Sequence, residues 1–268
     1  MTTNPSAPTV LILIHGATMN GQMWTPVRRH LDRRWRVLAP DLPGHGARRA
    51  ERFTLAGAVA TVVEAARSVA SSPVVLAGDS LGGYTALAAA SALPRGQLRE
   101  LLVGGCTGNI EGLAMMSHFT PKVLLFKTLL ALLGEKRLVA SMSGKVRTML
   151  SEAGVAAEDA EAIIAGGLSA SVFEQAVAAL RGVDFRSKLA AIEQPVLLLN
   201  GDQDKVMIRQ EAGFLAAARQ GAVQRWDCGH GVSLLRSREF AALLEAAAVR
   251  TAQDSSHPVP AAASPLRP

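Results

Sequence analysis

The 268-residue chain reads as an α/β protein, a doubly wound, mostly parallel sheet of about six strands carrying a helical cap insertion. Three observations predict this. Short β-branched and aliphatic runs alternate with segments of helical periodicity, the pattern of strands joined by crossover helices. The first run, TVLILIH at residues 9–15, is apolar at successive positions and ends at a glycine, as a strand covered on both faces does. The stretch 107–184 has no strand pattern but several helical segments punctuated by Gly134, Gly144, Gly154, Gly166 and Gly167.

After the first strand a helix is expected over 25–33, then a strand over 35–39 and a Pro/Gly-rich loop, DLPGHGARR. Thr54 is placed to cap a helix over 55–70, and Pro73 precedes a strand over 74–77. A tight turn leads into a helix over 81–92 and a strand over 101–105. Beyond the insertion come a strand over 196–200, a helix near 208–219, a short strand over 223–226 and a closing helix. Residues 1–106 and 185–250 then form the core, 107–184 the cap, and 251–268, with four prolines and little periodic hydrophobicity, a disordered tail.

Composition removes several classes of function. With 49% hydrophobic residues and a mean hydropathy of +0.22 the chain can fill a core. Its longest apolar run, 123–133, is broken by Lys127 and is too short to span a bilayer. Residues 1–8 are polar and uncharged, without the basic and apolar regions of an export signal, so a cytoplasmic protein is expected. The net charge of +6 includes basic clusters at 28–36 and 48–52, the first interrupted by Asp32. No zinc spacing, recognition helix or aromatic–basic sheet motif accompanies them, so they read as solvated surface rather than a nucleic-acid site. Cys106 and Cys228 are too few for a disulfide framework or a metal site and read as free thiols.

The chemistry centres on Gly78-Asp79-Ser80-Leu81-Gly82, a Gly-x-Ser-x-Gly pentapeptide between a strand and a helix. Such a turn is so sharp that the serine takes a strained backbone, tolerated only where the residues two before and two after lack side chains. The register also decides between Asp79 and Ser80 as nucleophile. An apex at Asp79 would put Ala77 and Leu81 at the flanking positions, and Leu81 is too large for the turn.

At this point the chain resembles the α/β-hydrolase family over most of residues 9–248. His15-Gly16-Ala17 is similar to the family's oxyanion loop, and Asp41 to Gly46 to the loop after its next core strand. PVLLLNGDQD, ending at Asp204, is similar to the strand and turn that deliver the acid, and Gly229-His230 to the histidine loop, so that Ser80, Asp204 and His230 follow the family's chain order. Only about eight residues precede the first strand, which leaves no room for the usual edge hairpin and predicts six strands.

The resemblance implies a serine hydrolase needing neither cofactor nor metal, with Ser80 as nucleophile, His230 as general base and Asp204 as orienting acid. It further implies an oxyanion hole formed by the backbone N–H groups of Ala17 and Leu81. Asp202 lies in the same turn as Asp204, but only Asp204 completes a Gly-x-x-Asp spacing from Gly201. His15 and His45 read as structural hydrogen-bonders, while His118 sits where it could line a pocket. Flexible apolar residues of the cap, among them Met115, Met116, Phe119 and Phe126, are expected to roof the site and to favour an ester-like small molecule with an apolar group of small or medium size. Ester or thioester hydrolysis leads. Carbon–carbon bond hydrolysis, cyanohydrin lysis, acyl transfer to an alcohol and a low-turnover ligand receptor stay open.

Overall fold

The computed structural model describes residues 7–111 and 113–250, without the side chains of Leu113 and Ala114; the tail expected at 251–268 lies outside the described residues. The chain runs β1 (Val10–Ile14), α1 (Thr25–His30), β2 (Arg36–Leu38), α2 (Leu55–Arg67), β3 (Val74–Asp79), α3 (Leu81–Ala90) and β4 (Leu98–Gly104). It continues with α4 (Leu113–Glu152), α5 (Ala157–Ala165), α6 (Val172–Leu180), α7 (Phe185–Ala190), β5 (Val196–Gly201), α8 (Lys205–Leu215), β6 (Gly221–Trp226), α9 (Val232–Leu235) and α10 (Ser237–Val249).

The six strands form one parallel sheet in the order β2-β1-β3-β4-β5-β6. From β1 the chain first winds outward to β2 and then returns across β1 to β3, so the winding direction reverses between β1 and β3. In open α/β sheets the crevice beyond the carboxyl ends of the strands at such a reversal is where ligands bind. Period-two alternation divides the core. Ile12, Ile14, Leu76, Val103 and Leu198 face one layer with α2, α3, α7 and α8; Leu11, Leu13, Val75, Leu102 and Leu199 face the other with α1 and α10. A sheet covered on both faces needs apolar residues at consecutive strand positions, which is why β1 is a continuous aliphatic run.

Boundaries differ from the expected ones for identifiable reasons. Strand β4 starts at Leu98, before the apolar run, because the charged Glu100 is buried against Arg250 at 3.1 Å. Helix α1 stops at His30, where Leu31 turns to extended backbone. The closing helix is two pieces, α9 and α10, separated at Arg236.

Between β4 and β5 stands the helical insertion, with no strand among its described residues. Its long helix α4 breaks at Gly134, whose φ of 72° and ψ of 161° belong to a region that is almost exclusively glycine's. A third apolar cluster, with Val146, Leu150, Ile163 and Leu168 from the insertion and Met23 and Leu234 from the core, seats the insertion over the carboxyl ends of the strands.

Candidate active site

Strand β3 ends at Asp79 and α3 begins at Leu81, so a single residue makes the turn. Ser80 takes φ 55° and ψ −118°, a left-handed backbone that costs a non-glycine residue of order 1–3 kcal/mol. The surrounding backbone fixes it: the Ser80 N–H donates to the Gly104 carbonyl at 2.8 Å, and the Ser80 carbonyl accepts from the Tyr84 N–H at 3.1 Å. A side chain at Gly78 would run into the Gly82 carbonyl, and one at Gly82 into the Ile14 carbonyl. Both glycines are therefore demanded by close backbone approach, and the elbow is pressed against the end of β1.

Asp204 leaves β5 through a turn closed by its own N–H donating to the Gly201 carbonyl at 2.9 Å. The acid turn is stitched to the histidine loop: the Asp202 N–H donates to the Trp226 carbonyl at 2.8 Å and the Gln203 N–H to the Cys228 carbonyl at 3.0 Å. His230 Nδ1–H then donates to Asp204 Oδ2 at 2.5 Å. Burial pulls the His230 pKa down, but its hydrogen bond to Asp204 and the charges of Asp79 and Asp204 outweigh that, leaving it above the ordinary histidine value. Burial likewise raises Asp204, and the bond and charge of His230 overcome it, so the carboxyl titrates below its ordinary value. Gly105, at φ 59°, lies against the imidazole; a Cβ there would come within 2.7 Å of His230 Cε1.

Ser80, His230 and Asp204 line one cavity of about 310 Å³, together with Gly16, Ala17 and Thr18 from the loop after β1. Met19, Met23 and Leu234 supply apolar surface from the core, and Phe119, Phe126, Met149 and Phe173 from the insertion. Leu81 opens α3 beside the nucleophile, in the first turn, where helix N–H groups have no partner within the helix. Of the cap residues singled out by sequence, Phe119 and Phe126 face this cavity. Met115 is instead buried in the main core at 1% exposure, and Met116, on the helix surface, is 39% exposed; neither lines it.

Several bonds around the site join residues that no local pattern connects, and His15 and His45 are hydrogen-bonded as the sequence predicts. Asp79, wholly buried, accepts from Ser233 Oγ at 2.7 Å and from the Ser233 N–H at 3.1 Å, tying the elbow to α9 just after His230. Asn20, 1% exposed, donates to the carbonyls of Ile163 at 2.8 Å and Gly167 at 3.1 Å, and the Ser169 N–H donates to the Thr18 carbonyl at 3.0 Å. These bonds pin the loop carrying Ala17 to the insertion. Asp41 accepts from the N–H groups of Gly21 at 2.7 Å and Ala47 at 2.8 Å, joining the loops after β1 and β2. His15 Nδ1–H donates to the Gly16 carbonyl at 2.9 Å while Nε2 accepts from the Leu42 N–H at 3.0 Å. Burial lowers the His15 pKa to about 4 and that of His45, whose ring lies 4.7 Å away, to about 3.

A strained serine elbow at the reversal of a parallel sheet, sharing one cavity with a histidine held by a carboxylate, points to a class of protein. The alpha/beta hydrolase family model matches residues 11–243, and the chain belongs to that family. A relative covering 88% of the chain and 96% of its own length, at 28% identity, is a pimeloyl-[acyl-carrier protein] methyl ester esterase of Aromatoleum aromaticum. Among solved structures, the enol-lactonase of Burkholderia xenovorans superposes with a TM-score of 0.71 at 18% identity, covering 91% of this chain and 93% of that one. An esterase from Exiguobacterium antarcticum superposes with a TM-score of 0.71 at 17% identity, covering 90% and 92%.

Proposed function

We propose that this chain hydrolyses a carboxylic ester or thioester of a small or medium apolar substrate through an acyl-serine intermediate on Ser80. The observation that carries the reading is the convergence, on one cavity, of a serine held at positive φ and a histidine bonded to a carboxylate at 2.5 Å. The name of the curated relative, a methyl ester esterase, supports ester cleavage as the reaction class.

The steps follow from the groups present. Ser80 Oγ attacks the carbonyl carbon while His230 Nε2 takes its proton, and Asp204, accepting from Nδ1–H, holds the tautomer and stabilises the imidazolium. The developing oxyanion is received by the N–H groups of Ala17 and Leu81, the second aided by the dipole of α3; one such donor is worth roughly 3–4 kcal/mol in the transition state. Collapse expels the alcohol or thiol, which takes the proton from His230. Water then attacks the acyl-serine with His230 again as base, and the carboxylic acid leaves as Ser80 regains its proton. The apolar lining suits the acyl or alkyl chain, and the helical insertion acts as the cap over it.

A panel of p-nitrophenyl esters of graded chain length, run beside labelling with a fluorophosphonate probe, tests the proposal. Turnover of short or medium esters with labelling abolished in Ser80→Ala is expected. Absence of both turnover and labelling in the wild-type protein would sink it.

A further inference from the structure

Beside Ser80, His230 and Asp204 the cavity is largely apolar, but α4 adds to its lining a charge that the hydrolytic steps do not use. His118, Lys122 and Phe126 follow one another at four-residue intervals and so share a helix face, and all three line the cavity. Lys122 Nζ donates to His118 Nε2 at 2.7 Å. A ring nitrogen that accepts this bond carries no proton, so Lys122 is bonded to a neutral partner and its charge is not balanced by it. Among the described residues no carboxylate forms an ion pair with Lys122. The charged groups whose fields reach this pair are Asp204 and His230, which are bonded to each other. Partial burial lowers the Lys122 pKa and Asp204 opposes the shift, while burial and the Lys122 charge lower that of His118.

Building on the acyl-serine reading, we infer that Lys122, supported by His118, is an anion subsite at the cavity rim, and that the substrate is an ester whose chain carries a carboxylate at the end remote from the scissile bond. The apolar part of such a molecule fills the space between Phe119, Phe173 and Met23, and its carboxylate pairs with the Lys122 ammonium. A lysine ammonium is a point charge with rotatable donors and accepts a carboxylate without a fixed approach angle. A neutral ester of equal length makes no such ion pair and gains nothing from the ammonium, which stays hydrated at its exposed position. Selection therefore falls on half esters of dicarboxylic acids over neutral esters of equal length.

The test uses the full chain and two series of substrates: monomethyl esters of succinate through suberate, and methyl esters of length-matched neutral monoacids. Each rate is corrected for the ester's intrinsic reactivity with hydroxide. The expected result is one chain length at which kcat/KM for the half ester exceeds that for its neutral match by roughly tenfold, the difference lying in KM. This ratio should collapse toward one in Lys122→Gln and recover in Lys122→Arg. Equal rates for the two series at every length, or a preference that survives Lys122→Gln, would overturn the inference. If the wild-type protein cleaves neither series, the acyl-serine reading is what fails, and the subsite is then decided by calorimetric titration with the free dicarboxylates. Saturable binding lost in Lys122→Gln upholds the subsite, and no binding to the wild-type protein refutes it.

Discussion

At the scale of single residues, the proposed chemistry rests on Ser80, His230 and Asp204, three side chains whose removal should not unfold the protein. Ser80→Ala is expected to lower kcat by roughly 10⁴- to 10⁶-fold, His230→Ala to be as severe, and the double variant to be no worse than either, since groups sharing one proton transfer are strongly non-additive. Steady-state kinetics on a single ester, with fluorophosphonate labelling to exclude contaminating activity, checks all three. Asp204→Asn should cost up to about 10⁴-fold in kcat by favouring the wrong imidazole tautomer. Asp202→Asn should leave kcat near the wild-type value, because Asp202 serves the turn through its backbone, its N–H bonded to Trp226 and its carbonyl accepting from Lys205 Nζ. A crippled Asp202→Asn beside an active Asp204→Asn would reverse that assignment. The field at His230 has a pH signature. Its pKa is raised, so the free base is lost as pH falls, and kcat/KM should climb with pH along an acidic limb centred above the ordinary histidine value of 6.5. Asp79→Asn removes one of the two carboxylates that raise it and should move the limb toward lower pH. A limb that stays in place would mean that Asp79 acts on His230 only through the Ser233 bond.

At the scale of elements, what could be read from the chain and what could not divide along physical lines. The strands of the core are legible because burial on both faces writes them as unbroken aliphatic runs, and the elbow is legible because only glycines fit where Gly78 meets Gly82 and Gly82 meets β1. The partners of the elbow are not. The bond from Ser233 to Asp79 joins residues 154 apart in sequence, and no local pattern announces it. Helical orientation was equally hidden. Met115 and Met116 have the same composition signal as Phe119 and Phe126, yet the rotation of α4 over the sheet sends Met115 into the core and Met116 to the surface. Met19, and Met23 in the short 3-10 turn Gly21–Trp24, too short for periodicity to orient, reach the cavity instead. The aromatic pair from the cap gives this scale its prediction. Phe126 stacks on Phe173 with centroids 4.8 Å apart, so Phe126→Ala both enlarges the cavity and unseats its neighbour. The ratio of kcat/KM between long and short acyl esters should shift by about 1–3 kcal/mol in favour of the longer chain. An unchanged ratio with a lowered melting temperature would make the ring a packing element alone.

At the scale of the whole molecule, two buried histidines link folding to acidity. The folded-state pKa values of His15 and His45, about 4 and about 3, lie below the unfolded value of 6.5, so on acidification the unfolded chain takes up protons that the folded chain refuses. Glu100 works the other way, its pKa raised by burial to about 6, and offsets one of those protons between pH 6 and 4.5. The difference is a loss of about 1.4 kcal/mol of stability per pH unit as pH falls through that window. Urea midpoints measured across it give the slope, and imidazole nitrogen spectra should show both rings neutral near pH 5.5. The bonds from Asn20 and Thr18 to the insertion have a further consequence, one of mechanics. They make the cap unequally tied: α5 and the turn 166–169 are bonded to the loop that carries Ala17, whereas the arm of α4 before Gly134, with Leu124 and Leu132 at 64% and 73% exposure, is held instead to α6, by the Lys127–Glu174 ion pair at 2.8 Å and the Phe126–Phe173 stack. A molecule entering the cavity is therefore expected to displace the α4 arm and leave the bonded part registered on the loop that carries Ala17, so that admission and chemical alignment fall to different halves of one insertion. Deuterium uptake should accordingly be fast over 120–133 and slow over 163–169, and Asn20→Ala should quicken the second segment and slow turnover together.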